Sequence, residues 1–387
     1  REAGETRLCS GAFPGLAEAG PVGRDRLPVD EGPKGEPSGA AYRLGKTTVS
    51  PTTGKEVASL ALRVGVVGVG SMGKNHARIY AQMPGRVKLV GVADIDAAQA
   101  QQVAHLYECE AYTDYRELLD RVDAVSIAVP TSLHFETAAH FLERGIHVLL
   151  EKPMTSTVEE GARLLQIARA NGCTLQVGHV ERFNPVVTEL HRIVREEEIT
   201  AVNIQRLSPY DGRVVDADVI LDLMIHDLDI LTMLFGQPIR PIAGMGRSLH
   251  NPEQVDYAVA MLQVGDETLA TVTASRVTAS RVRRMELSSP SAWIVADYIE
   301  RRITITRNPM GRASRNGTYR QKGVLEQIYL PALEPLAEEI RHFLECIETQ
   351  KHPLVSGETG LAALKLVEHI QRDIYGRVAE RGMAAAL

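Results

Sequence analysis

A glycine-rich turn at residues 68–73 constrains this chain more than any other feature. Three glycines follow the pattern G-x-G-x-x-G, directly after an apolar run that starts at 62 and before a helical stretch over 74–82. In a strand-to-helix turn, the first glycine permits a tight turn, the second lets the backbone approach a pyrophosphate, and the third allows close packing of helix and strand. The N-terminus of the helix also favours an anion. We therefore predict a dinucleotide site that contains Gly68, Gly70, Ser71, Met72 and Gly73.

An acidic residue follows the next apolar strand. Asp94 ends the run that starts at Val87, and it lies 26 positions after Gly68. A carboxylate at this place can accept hydrogen bonds from a ribose diol, and it repels a 2′-phosphate. The spacing therefore predicts NAD rather than NADP as the cofactor. The alternative is an ordinary turn of a parallel sheet with a surface aspartate.

Composition narrows the class of protein. The chain has 387 residues, of which 44% are hydrophobic, and a net charge of −6. It can therefore build a large core over two or three domains, and neither nucleic acid nor an anionic membrane is an expected partner. The four cysteines are scattered without a C-x-x-C pair, which predicts no metal site and no disulfide framework and fits a cytoplasmic protein. No apolar stretch reaches the length needed to cross a membrane.

Residues 1–60 differ from the rest of the chain. They are rich in Gly, Pro, Ser and Thr and lack apolar periodicity, so they would bury too little to offset the entropy of ordering. We predict a disordered extension, with a targeting peptide as the alternative.

Two patterns of apolar residues divide the remainder. Between 62 and 177, apolar strands alternate with amphipathic helices, which predicts a doubly wound parallel sheet of the Rossmann type. After Pro185 come a long helix at 219–234 and a series of short strands, which predict an α+β unit with an open, mostly antiparallel sheet and helices on one face. Because the other face needs cover, we expect a homo-oligomer. The predicted domains are 1–60 (extension), 61–183 (dinucleotide binding) and 184–387 (substrate binding and oligomerisation).

A lysine follows the buried strand 147–151. The sequence Glu151-Lys152-Pro153 stands at the same sheet edge as the glycine turn, because the carboxyl ends of parallel strands share that edge. Glu151 is therefore predicted beside the cofactor. Lys152 can donate to a substrate hydroxyl or carbonyl, and burial near a positive nicotinamide would lower its pKa towards proton transfer. The alternative is a surface lysine at a strand end.

An acid and a histidine share one face of the long apolar helix. Asp222 and His226 are four positions apart, with Asp229 three further on. A carboxylate beside an imidazole can set its tautomer and raise its basicity, so we predict an oriented Asp222–His226 pair in catalysis. A metal site is disfavoured because only one histidine is present. A hydrogen-bonded core histidine is the alternative.

Two further segments follow strands at the same edge. Pro130 and Thr131 are predicted to line the nicotinamide side, and His134 to approach the ribose. The segment 178–185 enters the cleft between the domains, and arginines there and further on could hold a diphosphate; a simple linker is the alternative. The predicted substrate contacts are His179, Arg182, Asn184, Arg206 and Arg213.

The order of these motifs resembles one family. The chain is similar to the Gfo/Idh/MocA oxidoreductases, the glucose–fructose oxidoreductase and inositol dehydrogenase family, on Gly68-x-Gly70-x-x-Gly73, Asp94, Val129-Pro130-x-x-x-His134, Glu151-Lys152-Pro153 and Asp222-x-x-x-His226. The resemblance covers residues 62–375. It implies a Rossmann domain, a C-terminal open-sheet domain and assembly into dimers or tetramers. It also implies that Lys152 and His226 act at the reacting carbinol, with Asp222 beside them.

A narrower resemblance rests on the segments 178–185, 206–209 and 222–229. They look like those of dehydrogenases that oxidise the C3 hydroxyl of UDP-N-acetylglucosamine, although Ala217-Asp218 replace the usual glycines before the Asp–His helix. We therefore expect an NAD-dependent dehydrogenase of CH–OH groups with a sugar or nucleotide-sugar substrate. Inositol, another sugar or UDP-N-acetylglucosaminuronate are alternative substrates, and a redox-inert NAD-binding sensor is the alternative class. Whether Lys152 or His226 is the base stays open.

Overall fold

The structure is a computed structural model that describes residues 61–210, 217–307, 312–313, 319–320 and 323–385. The predicted extension (1–60) and the candidate Arg213 lie outside these residues.

The first sheet confirms the Rossmann prediction. Its strands are β1 (Leu62–Val67), β2 (Val87–Ala93), β3 (Glu110–Tyr112), β4 (Ala124–Ile127), β5 (His147–Glu151) and β6 (Leu175–Gly178). They are hydrogen-bonded in the order β3-β2-β1-β4-β5-β6, and every neighbouring pair is parallel. The order reverses between β1 and β4, and this reversal opens a crevice for ligands at the carboxyl ends of the strands.

Helices cover both faces of this sheet. They are α1 (Gly73–Ala81), α2 (Ala97–Tyr107), α3 (His134–Glu143) and α4 (Val158–Ala170). Apolar residues of α1 and α2 join one core cluster, and those of α3 and α4 join another. In the sequence, the spacing Thr157-x-x-Glu160 predicts a capping box at the start of α4. The box is present, because the Thr157 hydroxyl accepts the Glu160 N–H and the Glu160 carboxylate accepts the Thr157 N–H.

The second sheet is open and mostly antiparallel, as predicted. Two helices, α5 (Pro185–Val194) and α6 (Ile225–Phe235), accompany the strands β7 (Ala201–Leu207), β8 (Ile239–Arg247), β9 (Tyr257–Val264), β10 (Thr268–Ser275), β11 (Val282–Ser288), β12 (Ala292–Asp297), β13 (Arg302–Arg307), β14 (Arg312–Ala313), β15 (Tyr319–Arg320) and β16 (Val324–Tyr329). Eight of these strands pair in the order β16-β13-β12-β11-β7-β10-β9-β8, in which the β7–β10 pair is parallel. The short strands β14 and β15 pair with each other.

Two helices end the described chain, α7 (Pro335–Thr349) and α8 (Gly357–Ala385). Apolar residues of α8 share a core with α5, α6 and the inner face of the second sheet. In contrast, α7 packs Leu336, Ile340 and Phe343 into the core beside α1. A helix from the C-terminal end of the sequence thus completes the first core. None of the helices in the described ranges combines the length and apolar character needed to cross a bilayer.

Candidate active site at the edge of the parallel sheet

The three glycines of the 68–73 turn have different surroundings. Gly68 has φ +78°, and a Cβ on it would lie 2.6 Å from the Ala128 carbonyl oxygen. A Cβ on Gly73 would lie 1.7 Å from the Gly68 carbonyl oxygen, so side chains are excluded at both positions by the fold itself. A Cβ on Gly70 would meet no protein atom within 4 Å. The open space above Gly70 is where the backbone can receive a pyrophosphate, so the turn fits a dinucleotide.

A cavity of about 680 Å³ crosses the sheet edge above this turn. This volume suits an extended organic ligand. Seven of the predicted cofactor residues line it, namely Gly68, Gly70, Ser71, Met72, Asp94, Pro130 and Glu151, and Lys152 lines it as well. Gly73 lies beneath the turn, and Thr131 does not line the cavity.

The Asp94 carboxylate is fixed beside the glycine turn. Its Oδ2 accepts hydrogen bonds from the backbone N–H of Val69 at 2.8 Å and from the side chain of Gln99 at 3.0 Å. Its Oδ1 accepts the N–H of Asp96 at 2.9 Å. An ionised oxygen has room for further donors, so the carboxylate remains able to accept from a ribose.

His134 does not take the predicted place near a ribose. The ring is buried, with Nδ1 2.8 Å from the Pro153 carbonyl oxygen and Nε2 2.9 Å from that of Val129. Burial lowers the pKa of this imidazole. We therefore correct its assignment, because the ring ties the turn after β4 to the turn after β5 and both nitrogens face backbone carbonyls.

Lys152 and Asp222 meet across the cleft. The lysine Nζ lies 2.9 Å from Asp222 Oδ1 and 2.9 Å from the Asp222 carbonyl oxygen. Both side chains are about one-fifth to one-quarter exposed, at 19% and 25%. Asp222 belongs to a π-helical turn, Ile220–Met224. The side chain of Asp218, two residues before this turn, accepts the N–H groups of Ile220 and Leu221. The residue that replaces a glycine thus caps the helix that carries the site.

His226 follows that turn at the start of α6. The ring is half-buried, and its Nδ1 is buried with no hydrogen-bond partner among the residues that the structure describes. Burial, together with the positive charges of Lys152 and Arg206, lowers its pKa well below the ordinary value. The predicted Asp222–His226 pair does not form, because the Asp222 carboxylate turns to Lys152. The same ammonium pairs with the acid and disfavours a proton on the imidazole. Of these three residues, Lys152 lines the cavity.

Arg206 is buried in an internal ion cluster. It donates two hydrogen bonds of 2.8 Å to the Asp227 carboxylate and a third of 2.8 Å to Glu181. Glu181 also accepts from Arg283 at 3.0 Å. Since only 2% of the Arg206 side chain is exposed, it has no donor face towards the cleft. Its predicted contact with a substrate diphosphate is therefore corrected to a structural one.

Arg182 makes a second buried pair of the same kind. Its guanidinium donates two hydrogen bonds of 2.7 Å to the Asp229 carboxylate and others to the Leu354 carbonyl and the Thr232 hydroxyl. Asp229, which lies three residues after His226, is thus paired with an arginine. Arg182, like Arg206, joins the segment after β6 to α6 and does not face a ligand.

The two remaining predicted substrate contacts, Asn184 and His179, do not line the cavity either. The Asn184 side chain accepts the N–H of Val186 as the cap of α5 and donates to Glu181 at 3.0 Å, so its role is structural. The His179 ring is 1% exposed, and neither of its nitrogens has a partner in the described part of the chain. Burial lowers its pKa. His179 does not line the cavity.

Sequence reasoning missed His76, which binds Glu151 from beneath. The available signal is its helical position, because it lies on the buried face of α1 three residues after Gly73.

No group of three or more potential ligands is arranged for a metal ion within the described ranges.

Two family models match the chain. The model described as an oxidoreductase family with an NAD-binding Rossmann fold, Gfo/Idh/MocA, matches residues 62–179. The model of the Gfo/Idh/MocA C-terminal domain matches residues 199–295. The two matches fall on the two sheets.

Individual relatives agree with these models. The chain is 33% identical over 306 residues to UDP-N-acetylglucosamine 3-dehydrogenase of Acidithiobacillus ferrooxidans, across 78% of this chain and 94% of that protein. It is 28% identical to scyllo-inositol 2-dehydrogenase (NAD(+)) of Bacillus subtilis, across 78% and 93%. A solved structure of the Acidithiobacillus enzyme matches with a TM-score of 0.73 at 32% identity, covering 81% of this chain and 98% of that one.

Proposed function

This chain belongs to the Gfo/Idh/MocA oxidoreductase family, and on that premise we propose that it oxidises the C3 hydroxyl of UDP-N-acetylglucosamine to a ketone. It is a dehydrogenase that acts on CH–OH groups, and its Rossmann domain serves a nicotinamide dinucleotide. When bound, the nicotinamide supplies the acceptor of the hydride. The observation that supports the proposal is the ion pair between Lys152, which lines the dinucleotide cavity, and Asp222, which stands four residues before His226.

The charges divide the work between lysine and histidine. The ion pair with Asp222 at 2.9 Å fixes the direction of the Lys152 ammonium, which can donate a hydrogen bond to the substrate oxygen and stabilise charge that develops there. Because its pKa is lowered well below the ordinary value, the His226 imidazole is neutral at pH 7 and has a lone pair for the proton, although the same shift makes it a weaker base than an ordinary histidine. We assign His226 as the base, Lys152 as the donor to the substrate oxygen, and Asp222 as the group that positions Lys152.

We propose NAD as the preferred dinucleotide. Asp94 holds a carboxylate at the cavity beside Val69, where a ribose diol would find an acceptor and a 2′-phosphate would meet a negative charge.

The outer face of the second sheet supports a homodimer or homotetramer. One row of residues crosses four neighbouring strands of this sheet, and each member is the register partner of the next. The row consists of Trp293, Ser288, Ala201 and Leu269. Trp293 is 44% exposed and Leu269 is 59% exposed, and Met261 and Met245 extend the apolar surface. A face of this kind is expected to pack against a second copy, and light scattering would show a mass at least twice that of one chain.

We also propose a cytoplasmic location, which the free thiols of Cys109, Cys173 and Cys346 fit.

A panel of sugars tests the substrate. The protein is incubated with NAD⁺ and UDP-N-acetylglucosamine, UDP-N-acetylglucosaminuronate, myo-inositol or scyllo-inositol, and NADH formation is followed by absorbance. We expect turnover with UDP-N-acetylglucosamine. Deuterium placed at C3 should appear in the reduced cofactor by mass spectrometry, whereas turnover confined to an inositol, as the Bacillus relative's name would favour, contradicts the proposal.

A further inference from the structure

A buried chain of hydrogen bonds runs beneath the cavity to the carboxylate of Glu151. The Tyr80 hydroxyl lies 2.8 Å from Ser126 Oγ, which lies 3.1 Å from His76 Nδ1. His76 Nε2 then lies 3.1 Å from Glu151 Oε1. Tyr80, Ser126 and His76 are all at most 1% exposed. Three elements, α1, β4 and β5, are thereby joined at one carboxylate.

A neutral and a protonated His76 both satisfy every link, and in both forms the His76 Nε2–H donates to Glu151. With the His76 proton on Nε2, Tyr80 donates to Ser126, Ser126 donates to His76, and His76 donates to Glu151. The second oxygen, Oε2, accepts the backbone N–H of Lys152 at 3.2 Å. Both oxygens of Glu151 therefore act as acceptors, which is the arrangement that an ionised carboxylate requires.

Electrostatics agree with an ionised Glu151. Burial would raise the pKa of this carboxyl, but the hydrogen bond from His76, a positive charge on His76 and then the charge of Lys152 outweigh it, and the pKa is lowered. Glu339 approaches the same region from α7. Its pKa is raised well above the ordinary value by burial and by repulsion from Glu151, so the site favours its protonated, uncharged form. The Lys152 ammonium forms its ion pair with the Asp222 carboxylate.

We propose that the Tyr80–Ser126–His76 chain holds Glu151 as a fixed anion in the wall of the cofactor cavity and makes the site bind the oxidised nicotinamide more tightly than the reduced one. Glu151 lines the cavity together with Gly70 and Lys152. The oxidised ring carries a positive charge that the reduced ring lacks, so a nearby carboxylate of low solvent exposure stabilises only the oxidised form. His76 is a positioning residue in this scheme.

The inference is independent of the sugar. It concerns the binding of the nicotinamide alone, and a protein with this preference could still act on a different CH–OH substrate. Failure of the sugar panel would therefore contradict the proposed substrate and leave this inference untouched.

Binding of the two cofactor forms without sugar tests it. NADH is titrated by its fluorescence, NAD⁺ by displacement of NADH, and the ratio of the two Kd values is compared among variants whose folding is checked by circular dichroism. Glu151→Gln should raise the Kd for NAD⁺ by about tenfold and change that for NADH by less than about twofold. Glu151→Asp keeps the charge and should keep the ratio, even where both Kd values rise.

Two further variants test the chain itself. His76→Leu removes the donor to Glu151 and should move the ratio in the same direction as Glu151→Gln, and Ser126→Ala should do so to a smaller extent. Glu136→Gln is the matched control, since Glu136 lines the same cavity but is 60% exposed and screened by solvent. Equal changes of both Kd values in Glu151→Gln would overturn the electrostatic role. An unchanged ratio in both His76→Leu and Ser126→Ala would overturn the role of the chain.

Discussion

The two sides of the site are built in different ways. On the side of the parallel sheet, the glycine turn, Asp94 and Lys152 each follow a strand directly, so the course of the backbone places them. On the side of α6, acidic residues are held by arginines that are distant in sequence, as in the Arg206–Asp227 and Arg182–Asp229 pairs. One side is thus determined by local geometry and the other by buried charge pairing. The Lys152–Asp222 contact joins them.

Removal of that contact should have the largest effect. Lys152→Ala deletes the group that donates to the substrate oxygen, so we expect kcat to fall by about 10²- to 10⁴-fold. Steady-state rates with NAD⁺ and the substrate found in the sugar panel provide the measurement. Lys88→Ala, on an exposed position of β2, is the control and should leave kcat unchanged. Full activity in Lys152→Ala would remove the proposed link between the two sides.

Substitutions in the buried ion pairs beside α6 should lower the stability of the protein more than they lower its catalytic rate. Arg206→Met leaves the buried Asp227 carboxylate without its partner, and we expect a loss of about 3–5 kcal/mol in the free energy of unfolding, measured with urea. The double variant Arg206→Met with Asp227→Leu should lose less than the single one. Arg192→Ala breaks an exposed pair, and its loss should stay below about 1 kcal/mol. Equal losses in Arg206→Met and Arg192→Ala would contradict the contrast.

Two glycines of one turn should separate folding from binding. Gly73→Ala places a Cβ against the Gly68 carbonyl oxygen and should cost about 3 kcal/mol of stability. Gly70→Ala meets only open space, so its stability should stay within about 0.5 kcal/mol while its affinity for NAD⁺ falls. Thermal unfolding and NADH titration of both variants provide the comparison, and a stable Gly73→Ala protein would contradict it.

A smaller effect is expected at the carboxylate beside the turn. Asp94→Asn removes the negative charge that opposes a 2′-phosphate, so the preference for NAD over NADP should fall by about tenfold. The ratio of kcat/KM values for the two cofactors measures it. Asp96→Asn, which keeps an acceptor at the cap of α2, should leave that ratio unchanged. An unchanged ratio in Asp94→Asn would show that the carboxylate does not select the cofactor.

The smallest expected effect is a dependence of stability on pH at His226. Its folded pKa is well below the ordinary 6.5, so from about one pH unit above 6.5 the imidazole is neutral in both the folded and the unfolded chain. Below pH 6.5 the unfolded chain gains the proton first, so the free energy of unfolding falls as the pH falls, by about 1 kcal/mol over the first unit. His226→Gln should flatten this slope in urea titrations, with His179 accounting for part of what remains. Identical slopes in the two proteins would contradict the burial of a neutral ring.

The sequence predicted the elements more completely than the contacts. The alternation of strands and helices predicted the parallel sheet, and the capping box at Thr157 predicted the start of α4. The three-residue strand β3 was missed because it is too short to show a period. The long helix at 219–234 begins in the structure with a π-helical turn, whose hydrogen-bond pattern leaves no mark in apolar spacing.

The errors at the site share one cause. Arg182, Arg206 and Asn184 were predicted to face the substrate because they are polar residues near a cleft, yet each has a buried carboxylate or helix end as its partner. Likewise, the i, i+4 spacing of Asp222 and His226 was sufficient for a pair, but the lysine competes for the acid. Spacing along a helix shows which side chains are neighbours and does not show which more distant charge approaches them.

The sequence by itself determined the parallel sheet, the glycine turn and the lysine at its edge, because each depends on contiguous residues and on backbone rules that act over one turn or one strand. Only the tertiary structure decided which ions pair. Charges attract through space, and burial strengthens the attraction, so Asp222 joins Lys152 from 70 positions away while His226, four positions away, is left neutral.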